Sequence, residues 1–171
     1  RDPVFITTKD GRMVESNDAF MEALGYETMD ELLKIAVTKH YENPDDRKRF
    51  NRTAEQDGFA KEFPANLVKK DGSVINTLIT ATVLKDRDGN TTGFQGTSRD
   101  ITDRKSAADA LKESEIQYKH LYSMVRLMCD NLPDLIWTKD LDGKFIFVNK
   151  ACCDILLNAK DTDEPIGKDD M

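Results

Sequence analysis

The chain is short of the residues that build covalent or metal-bound frameworks. Its 171 residues include three cysteines and two histidines. Cys152 and Cys153 are adjacent while Cys129 stands apart, which matches neither a disulfide framework nor a metal-ligand spacing. We therefore expect no metal site and a cytoplasmic, reducing environment, whether or not the parent protein is attached to a membrane.

Three further absences narrow the function. No apolar run approaches the ~20 residues that cross a bilayer, so we expect no membrane contact. The net charge is −7, from 25 basic and 32 acidic residues, and no dense Lys/Arg cluster suggests a nucleic-acid partner. The sequence shows no nucleophile and base at a spacing typical of a catalytic pair, no phosphate-binding glycine loop and no cluster of metal ligands. We therefore expect a non-catalytic chain. The sequence begins with Arg and ends without a turn or a helix-ending signal, which favours a fragment lacking its output domain.

The first hundred residues open with a hairpin and then change to helices. Residues 2–8 are β-branched and aromatic, and Asp10-Gly11 is a turn signal leading to a second strand at 13–16. Asn17 predicts a helix cap, with Gly25 ending that helix. A capping box from Thr28 to Glu31 predicts a second helix, and a third is expected from Pro44 to Gly58.

From residue 59 the pattern alternates with period two. Strands are predicted at 59–69, 74–84 and 91–99, separated by Asp-Gly turns. Two strands, several short helices and three strands indicate an α+β fold, with one antiparallel sheet carrying its helices on one face. We place this domain at residues 1–102.

Residues 103–131 have a helical pattern on which a heptad frame can be laid. Leu111, Tyr118, Val125 and Leu132 recur every seven residues, with Ala107, Ser114, Leu121 and Met128 on the companion seam. A parallel dimeric coiled coil would use Leu111, Tyr118, Leu121, Val125 and Met128 as its interface. The alternative is a helix that packs on its own domain. Ser114 weakens the seam, so we expect a break near it.

The opening of the chain then returns at an offset of 132 residues. Asp142-Gly143 repeats Asp10-Gly11, and Asn149 repeats Asn17. The two segments are therefore expected to share a structure. Residues 132–171 stop before any counterpart of the last three strands, so we expect 133–171 to be poorly ordered or packed opportunistically.

Together these motifs resemble the PAS domain family with its C-terminal PAC motif, over residues 2–105. The motifs are Asp2-Pro-Val-Phe, Asp10-Gly11, Asn17-Asp-Ala-Phe20, Leu24-Gly-Tyr26, Pro44-Asp-Asp-Arg47, Lys70-Asp-Gly-Ser73, Asp88-Gly89 and Arg99-Asp-Ile-Thr102-Asp-Arg-Lys105. Residues 133–171 resemble the first third of a second PAS domain. The resemblance implies a five-stranded antiparallel sheet in the order 2-1-5-4-3.

The resemblance also implies a sensory role, usually in a dimer. Such domains bind a small molecule, or respond to redox state or light, in a pocket between helices and sheet, and relay the change to the following helix. Here the relay would run through Asp100, Ile101 and Thr102, because the side chains of Asp100 and Thr102 can hydrogen-bond around the strand end and helix start. The candidate pocket comprises Phe20, Leu24, Ile35, Phe63, Leu67, Thr77, Ile79, Phe94 and Ser98. The alternative is that these side chains only fill the core.

The cofactor is unidentified, and we expect neither flavin nor haem. Residues 1–128 contain no cysteine, which excludes thiol-adduct photochemistry in the first domain, and Ser98 stands where flavin photosensors of the family carry glutamine. His40 is the only histidine there. We interpret it as an ordinary exposed loop residue rather than a haem ligand.

The function expected from these observations is a sensory input and dimerisation module, with a homodimer partner and a small-molecule ligand. The output domain that best fits is a histidine kinase of a two-component phosphorelay. Alternatives are the input of a diguanylate cyclase or phosphodiesterase, a ligand-free dimerisation adaptor, and a haem or flavin redox sensor.

Overall fold

The computed structural model of the chain describes residues 2–169. They fall into two compact units, one ending at Ala108 and the other beginning at Asp109. Among the described residues, no helix combines the length and apolar character needed to cross a membrane.

The first unit contains one five-stranded antiparallel sheet. Its strands are Val4–Thr8 (β1), Met13–Ser16 (β2), Phe59–Val68 (β3), Val74–Lys85 (β4) and Thr91–Asp100 (β5). Their order across the sheet is β2-β1-β5-β4-β3, which confirms the predicted topology. Because β5 pairs with β1 on one side and with β4 on the other, the last strand of the unit lies in the middle of the sheet rather than at its edge.

The helices of the first unit begin and end where the sequence predicts. They are Asp18–Leu24 (α1), Met29–Leu33 (α2) and Pro44–Asp57 (α3). Asn17 caps α1 and Thr28 caps α2 through side-chain oxygens, and Gly25 adopts the left-handed conformation that ends α1. A 3₁₀ turn at Val37–His40 was not predicted, because its four residues show no helical period.

The core lies between the helices and the sheet. The largest side chains with almost no exposed surface are Phe50, Phe94, Leu24, Leu32 and Ile79. Phe50 of α3 packs edge-on against Phe94 of β5, with ring centroids 5.3 Å apart. Contacts of this kind hold α3 against the middle of the sheet.

A single long helix follows the sheet. It runs without interruption over Thr102–Asp130 (α4), so the break expected near Ser114 is wrong. Alanine, leucine, lysine and glutamate surround Ser114, and their high helix propensity outweighs one serine. Leu132 of the heptad frame lies beyond the end of the helix.

The second unit repeats the opening of the first at the level of single hydrogen bonds. Strands Trp137–Lys139 (β6) and Phe145–Val148 (β7) pair in the register of β1 and β2. The side-chain Oδ1 of Asn149 accepts from the backbone N–H groups of Ile136 and Cys152, as Asn17 does from those of Val4 and Phe20. The internal repeat is therefore structural.

This second unit also has a small core of its own. Phe145, Val148, Cys152 and Cys153 are buried together beside the short helix Lys150–Cys152 (α5). We expected residues 133–171 to be poorly ordered or packed opportunistically. Of these, the residues up to 169 are described, and they include a pair of strands and a small buried core.

Candidate functional site

The strand-to-helix junction is the first candidate site. Only Ile101 separates the end of β5 at Asp100 from the start of α4 at Thr102. One carboxylate oxygen of Asp100 accepts from the Thr102 backbone N–H at 2.8 Å and from the Thr102 hydroxyl at 2.6 Å. These bonds close the turn and fix the direction in which the helix leaves the sheet.

The same junction is tied to the neighbouring strand through Asn76 of β4. The Asn76 backbone N–H donates to the Thr102 hydroxyl oxygen at 2.9 Å, and its carbonyl accepts from the Ile101 N–H at 2.8 Å. Its side-chain oxygen accepts from the Lys105 ammonium group at 2.6 Å. The first turn of α4 is thus bonded to two adjacent strands, so a shift of these strands would move the helix.

The second candidate site is a cavity inside the first unit. It is lined by Phe5, Thr7, Met13, Phe20, Val37, His40, Tyr41, Arg47, Leu67, Ile79 and Ser98. The space between the lining atoms is about 330 Å³, mouth included, but the room inside holds only about one or two water-sized guests. Most of the surface that lines the cavity is apolar. The polar lining residues are Thr7, His40, Tyr41, Arg47 and Ser98.

Arg47 is the unusual member of this wall. It projects from α3 and is only 3% exposed. Its Nη2 donates to the Thr7 hydroxyl at 3.1 Å and to the Thr8 carbonyl at 3.4 Å. The guanidinium carbon lies 5.2 Å from the ring centroids of both Phe50 and Phe94, a cation–π arrangement that stabilises a buried positive charge.

His40 and Tyr41 lie beside it, and here the sequence interpretation was wrong. His40 is 4% exposed rather than a surface loop residue, because the 3₁₀ turn carries its ring inward against Tyr26, with ring centroids 5.5 Å apart. Burial lowers the pKa of His40, and it raises that of Tyr41 although the positive Arg47 opposes the shift.

The structure brings together only part of the predicted pocket. Phe20, Leu67, Ile79 and Ser98 line the cavity. Leu24, Phe63, Thr77 and Phe94 are buried elsewhere in the core, and Ile35 packs on its edge. The hydroxyl of Thr77 donates to the Ala65 carbonyl at 2.8 Å, so this group is already used within the sheet.

Sequence reasoning missed the polar wall, above all Arg47. Arg47 stands in a run of charged residues, Asp45 to Arg49, that is typical of a solvated surface. The sequence feature that indicated its burial was spacing. Arg47, Phe50 and Ala54 are three and four residues apart, so they share one face of α3, and this face is buried.

The predicted dimer seam on α4 is uncovered in the single chain. Leu111, Tyr118, Leu121, Val125 and Met128 are each between 45% and 70% exposed. Further apolar side chains, Tyr122 and Met124, are also exposed beside them. An exposed apolar stripe of this length is typical of a surface that is covered by another protein segment.

Comparison with known protein families identifies the first unit. The sequence model described as "PAS domain" matches residues 1–103, more than half of the chain. The chain belongs to the PAS domain family. PAS domains are sensory parts of signalling proteins and not catalytic units, which agrees with the expected role. A second PAS domain model matches residues 123–170.

Solved structures support the PAS fold. A PAS domain from Colwellia psychrerythraea aligns with a TM-score of 0.52 at 19% identity, covering 60% of this chain and 87% of its own. The light-oxygen-voltage domain of the blue-light photoreceptor Aureochrome1 aligns with a TM-score of 0.50 at 20% identity, covering 68% and 87%. Another light-oxygen-voltage domain aligns with a TM-score of 0.50 at 18% identity, covering 67% and 88%. No curated protein matches the chain.

The PAS cavity of this chain is too small, as packed, for a flavin or a haem. Phe50, Phe63 and Phe94 fill much of the space between α3 and the sheet. A group of that size would require these rings to move, at the cost of their packing.

Proposed function

We propose that residues 2–102 are the sensory input of a signalling protein and relay a small-molecule or redox cue through Asp100, Ile101 and Thr102 to α4. The observation that carries this proposal is the junction itself. A single residue links the central strand β5 to the helix, and Asn76 bonds the helix start to β4. Arg99 to Lys105 would then belong to the PAC motif of this domain.

A change in the cavity can reach this junction through the sheet. Ile79 and Ser98 both line the cavity, and they are directly paired partners on β4 and β5. Thr77 and Asp100 pair two residues further along the same strands. A displacement at the cavity would therefore be transmitted along two hydrogen-bonded strands to the start of α4.

The experiment is an Asp100→Ala substitution in the full-length parent. We expect its output activity to lose the response to growth conditions that the wild type shows, while the domain stays folded by circular dichroism. Asp103→Ala is the matched control, because Asp103 is acidic as well and lies close by, in the first turn of α4. An unchanged response in Asp100→Ala would contradict the relay.

We further propose that α4 pairs with α4 of a second copy. Apart from Ser114, the seam from Leu111 to Met128 is apolar and exposed, and the positions flanking it, such as Gln117, Tyr122 and Met124, carry little charge. Parallel pairing would bury this stripe without placing like charges together. It would also bring the two sensory units to the same end of one dimer.

We also propose that residues 133–169 belong to the start of a second PAS domain. The support is the repeated hydrogen-bond set of Asn17 and Asn149, together with the second family match. Tandem PAS input of this kind fits a histidine kinase parent, with a diguanylate cyclase or phosphodiesterase as the alternative. The sequence of the output domain in the parent would decide between them.

A ligand-free dimerisation adaptor is the second candidate function. The filled core favours it, because the cavity has little free room. An adaptor predicts that no small molecule stabilises the chain, whereas a sensor predicts that at least one does.

A further inference from the structure

We propose that the cavity of the first unit binds a compact carboxylate, of the size of formate or acetate, with Arg47 as the recognition residue. The inference rests on the proposed sensory function and names the class of ligand that the same site would take. It starts from the electrostatics of the cavity wall rather than from its apolar part.

The positive charge of Arg47 is buried, and no carboxylate of the described residues pairs with it. Charged groups that are almost fully buried are normally paired, because desolvation of an unpaired ion is costly. Among residues 2–169, no Asp or Glu forms an ion pair with Arg47. The neighbouring Asp46 binds Arg49 instead, with 3.0 Å between Oδ1 and Nη1.

Hydrogen-bond capacity is also left over at this point. A guanidinium group has five N–H donors. Arg47 uses its Nη2 on Thr7 and Thr8, and it also hydrogen-bonds the Tyr41 side chain. Its Nε is buried and has no acceptor among the described residues. The His40 side chain hydrogen-bonds the Val68 backbone, while its Nε2 is buried and has no partner among the described residues. Both residues line the cavity.

The other residues that line the cavity limit the charge and the size of the ligand. Among the described residues that line the cavity none is acidic, while Tyr41 and Ser98 add hydroxyl groups that can donate. A carboxylate would satisfy the free donor of Arg47 and neutralise its charge. Phe5, Met13 and Val37 face the same space, so a methyl group fits where a second charge does not. The small free volume limits the ligand to a few heavy atoms.

The first test uses the complete 171-residue chain labelled with ¹⁵N and titrated with sodium acetate. We expect a saturable shift of the Arg47 side-chain Nε–H resonance and a raised melting temperature, relative to sodium chloride at equal ionic strength. Acetamide has the shape of acetate without its charge, and we expect it to cause neither change. No acetate-dependent shift, or equal binding of acetamide, would overturn the proposal.

The second test compares Arg47→Met with Arg49→Met. Arg49 lies on the same helix and is exposed, so its loss removes one positive charge from α3 without touching the cavity. We expect acetate binding to weaken about tenfold or more in Arg47→Met and to stay within about twofold in Arg49→Met. Equal weakening in both variants would overturn the assignment to Arg47. If Arg47→Met does not fold, the wild-type titration alone decides.

The outcome is separable from the sensory role. Absence of acetate binding, with signalling that is still lost in Asp100→Ala of the parent, would reject the ligand class and leave the relay standing. Acetate binding with normal signalling in Asp100→Ala would reject the relay and leave the site standing.

Discussion

The hydroxyl oxygen of Thr102 accepts the backbone N–H of Asn76 at 2.9 Å, while the same hydroxyl donates to Asp100 at 2.6 Å. One side chain at the start of α4 therefore joins the helix to β4 and to the end of β5. Backbone groups at a strand end need partners, and here the helix supplies them. The exit helix is consequently part of the sheet's hydrogen-bond network.

Removing the Thr102 hydroxyl tests this network. We expect Thr102→Val to lower the free energy of unfolding by about 1–3 kcal/mol, because the Asn76 N–H loses its acceptor while the branched shape is kept. Thr102→Ser retains the hydroxyl and is expected to change stability by less. Urea unfolding followed by circular dichroism measures both. Equal stability of Thr102→Val and wild type would show that the bond contributes little.

Gly96 on β5 tests the close approach of the central strands. A Cβ atom at this position would lie 2.5 Å from the Ala81 Cβ and would collide with the Thr80 carbonyl oxygen. We expect Gly96→Ala to destabilise the fold by about 3 kcal/mol or more, since backbone would have to move.

The control for Gly96 is Gly89→Ala. Gly89 has a φ of +85° in a turn and nothing within 4 Å of an added Cβ. Its substitution should cost only about 1–2 kcal/mol of conformational strain. Thermal unfolding of both variants separates the effect of the steric collision at Gly96 from that of the backbone conformation at Gly89. A larger loss of stability for Gly89→Ala than for Gly96→Ala would contradict the packing argument.

The equivalent asparagines of the repeat give a reciprocal test. Asn17→Ala removes the cap of α1 and the acceptor of the Val4 N–H, and we expect it to lower the free energy of unfolding by about 2 kcal/mol. Asn149→Ala removes the matching bonds in the second unit. We expect hydrogen exchange to speed up at β1 and β2 in the first variant and at β6 and β7 in the second. The same exchange pattern in both variants would refute this.

The seam of α4 gives a test of self-association. We expect Leu121→Asp to weaken the dimer by on the order of 2–4 kcal/mol, because a carboxylate would be buried in an apolar interface. Ser123→Asp introduces the same charge at an exposed position off the seam, and it should leave the dimer intact. Sedimentation equilibrium measures both. A wild-type chain that stays monomeric at high concentration would contradict the dimer itself.

The buried imidazole of His40 predicts a pH dependence of stability. Burial lowers its pKa below the ordinary value of 6.5, so the unfolded chain binds this proton more tightly than the folded chain does. Stability is therefore expected to fall as pH drops below about 6.5, until the folded pKa is reached, by at most about 1.4 kcal/mol per pH unit. The stability of His40→Gln should change less between pH 7 and pH 5.5. Parallel pH profiles for the two proteins would refute the assignment.

Most of the fold could be predicted because its signals are local. The caps at Asn17 and Thr28, the αL glycine at Gly25 and the alternation along β3 to β5 depend on neighbours within a few residues. The repeat at Asn149 was also visible in the sequence, since similar short segments tend to form the same local hydrogen bonds. The hydrogen bonds of the strand-to-helix junction were also predicted, because Asp100 and Thr102 are two positions apart.

Burial of polar side chains was decided by the tertiary structure alone. From the sequence, Arg47 is predicted to be solvated because it stands in a charged run, and His40 is predicted to lie in an exposed loop. In the structure both are buried, because α3 and the 3₁₀ turn pack against the sheet and carry them inward. Burial depends on elements that are distant along the chain. The spacing of Arg47, Phe50 and Ala54 could place Arg47 on the apolar face of α3, but only the packing shows that this face buries the charge. The sequence alone therefore determined the strands, helices and repeat of this protein, whereas packing determined the chemistry of its cavity.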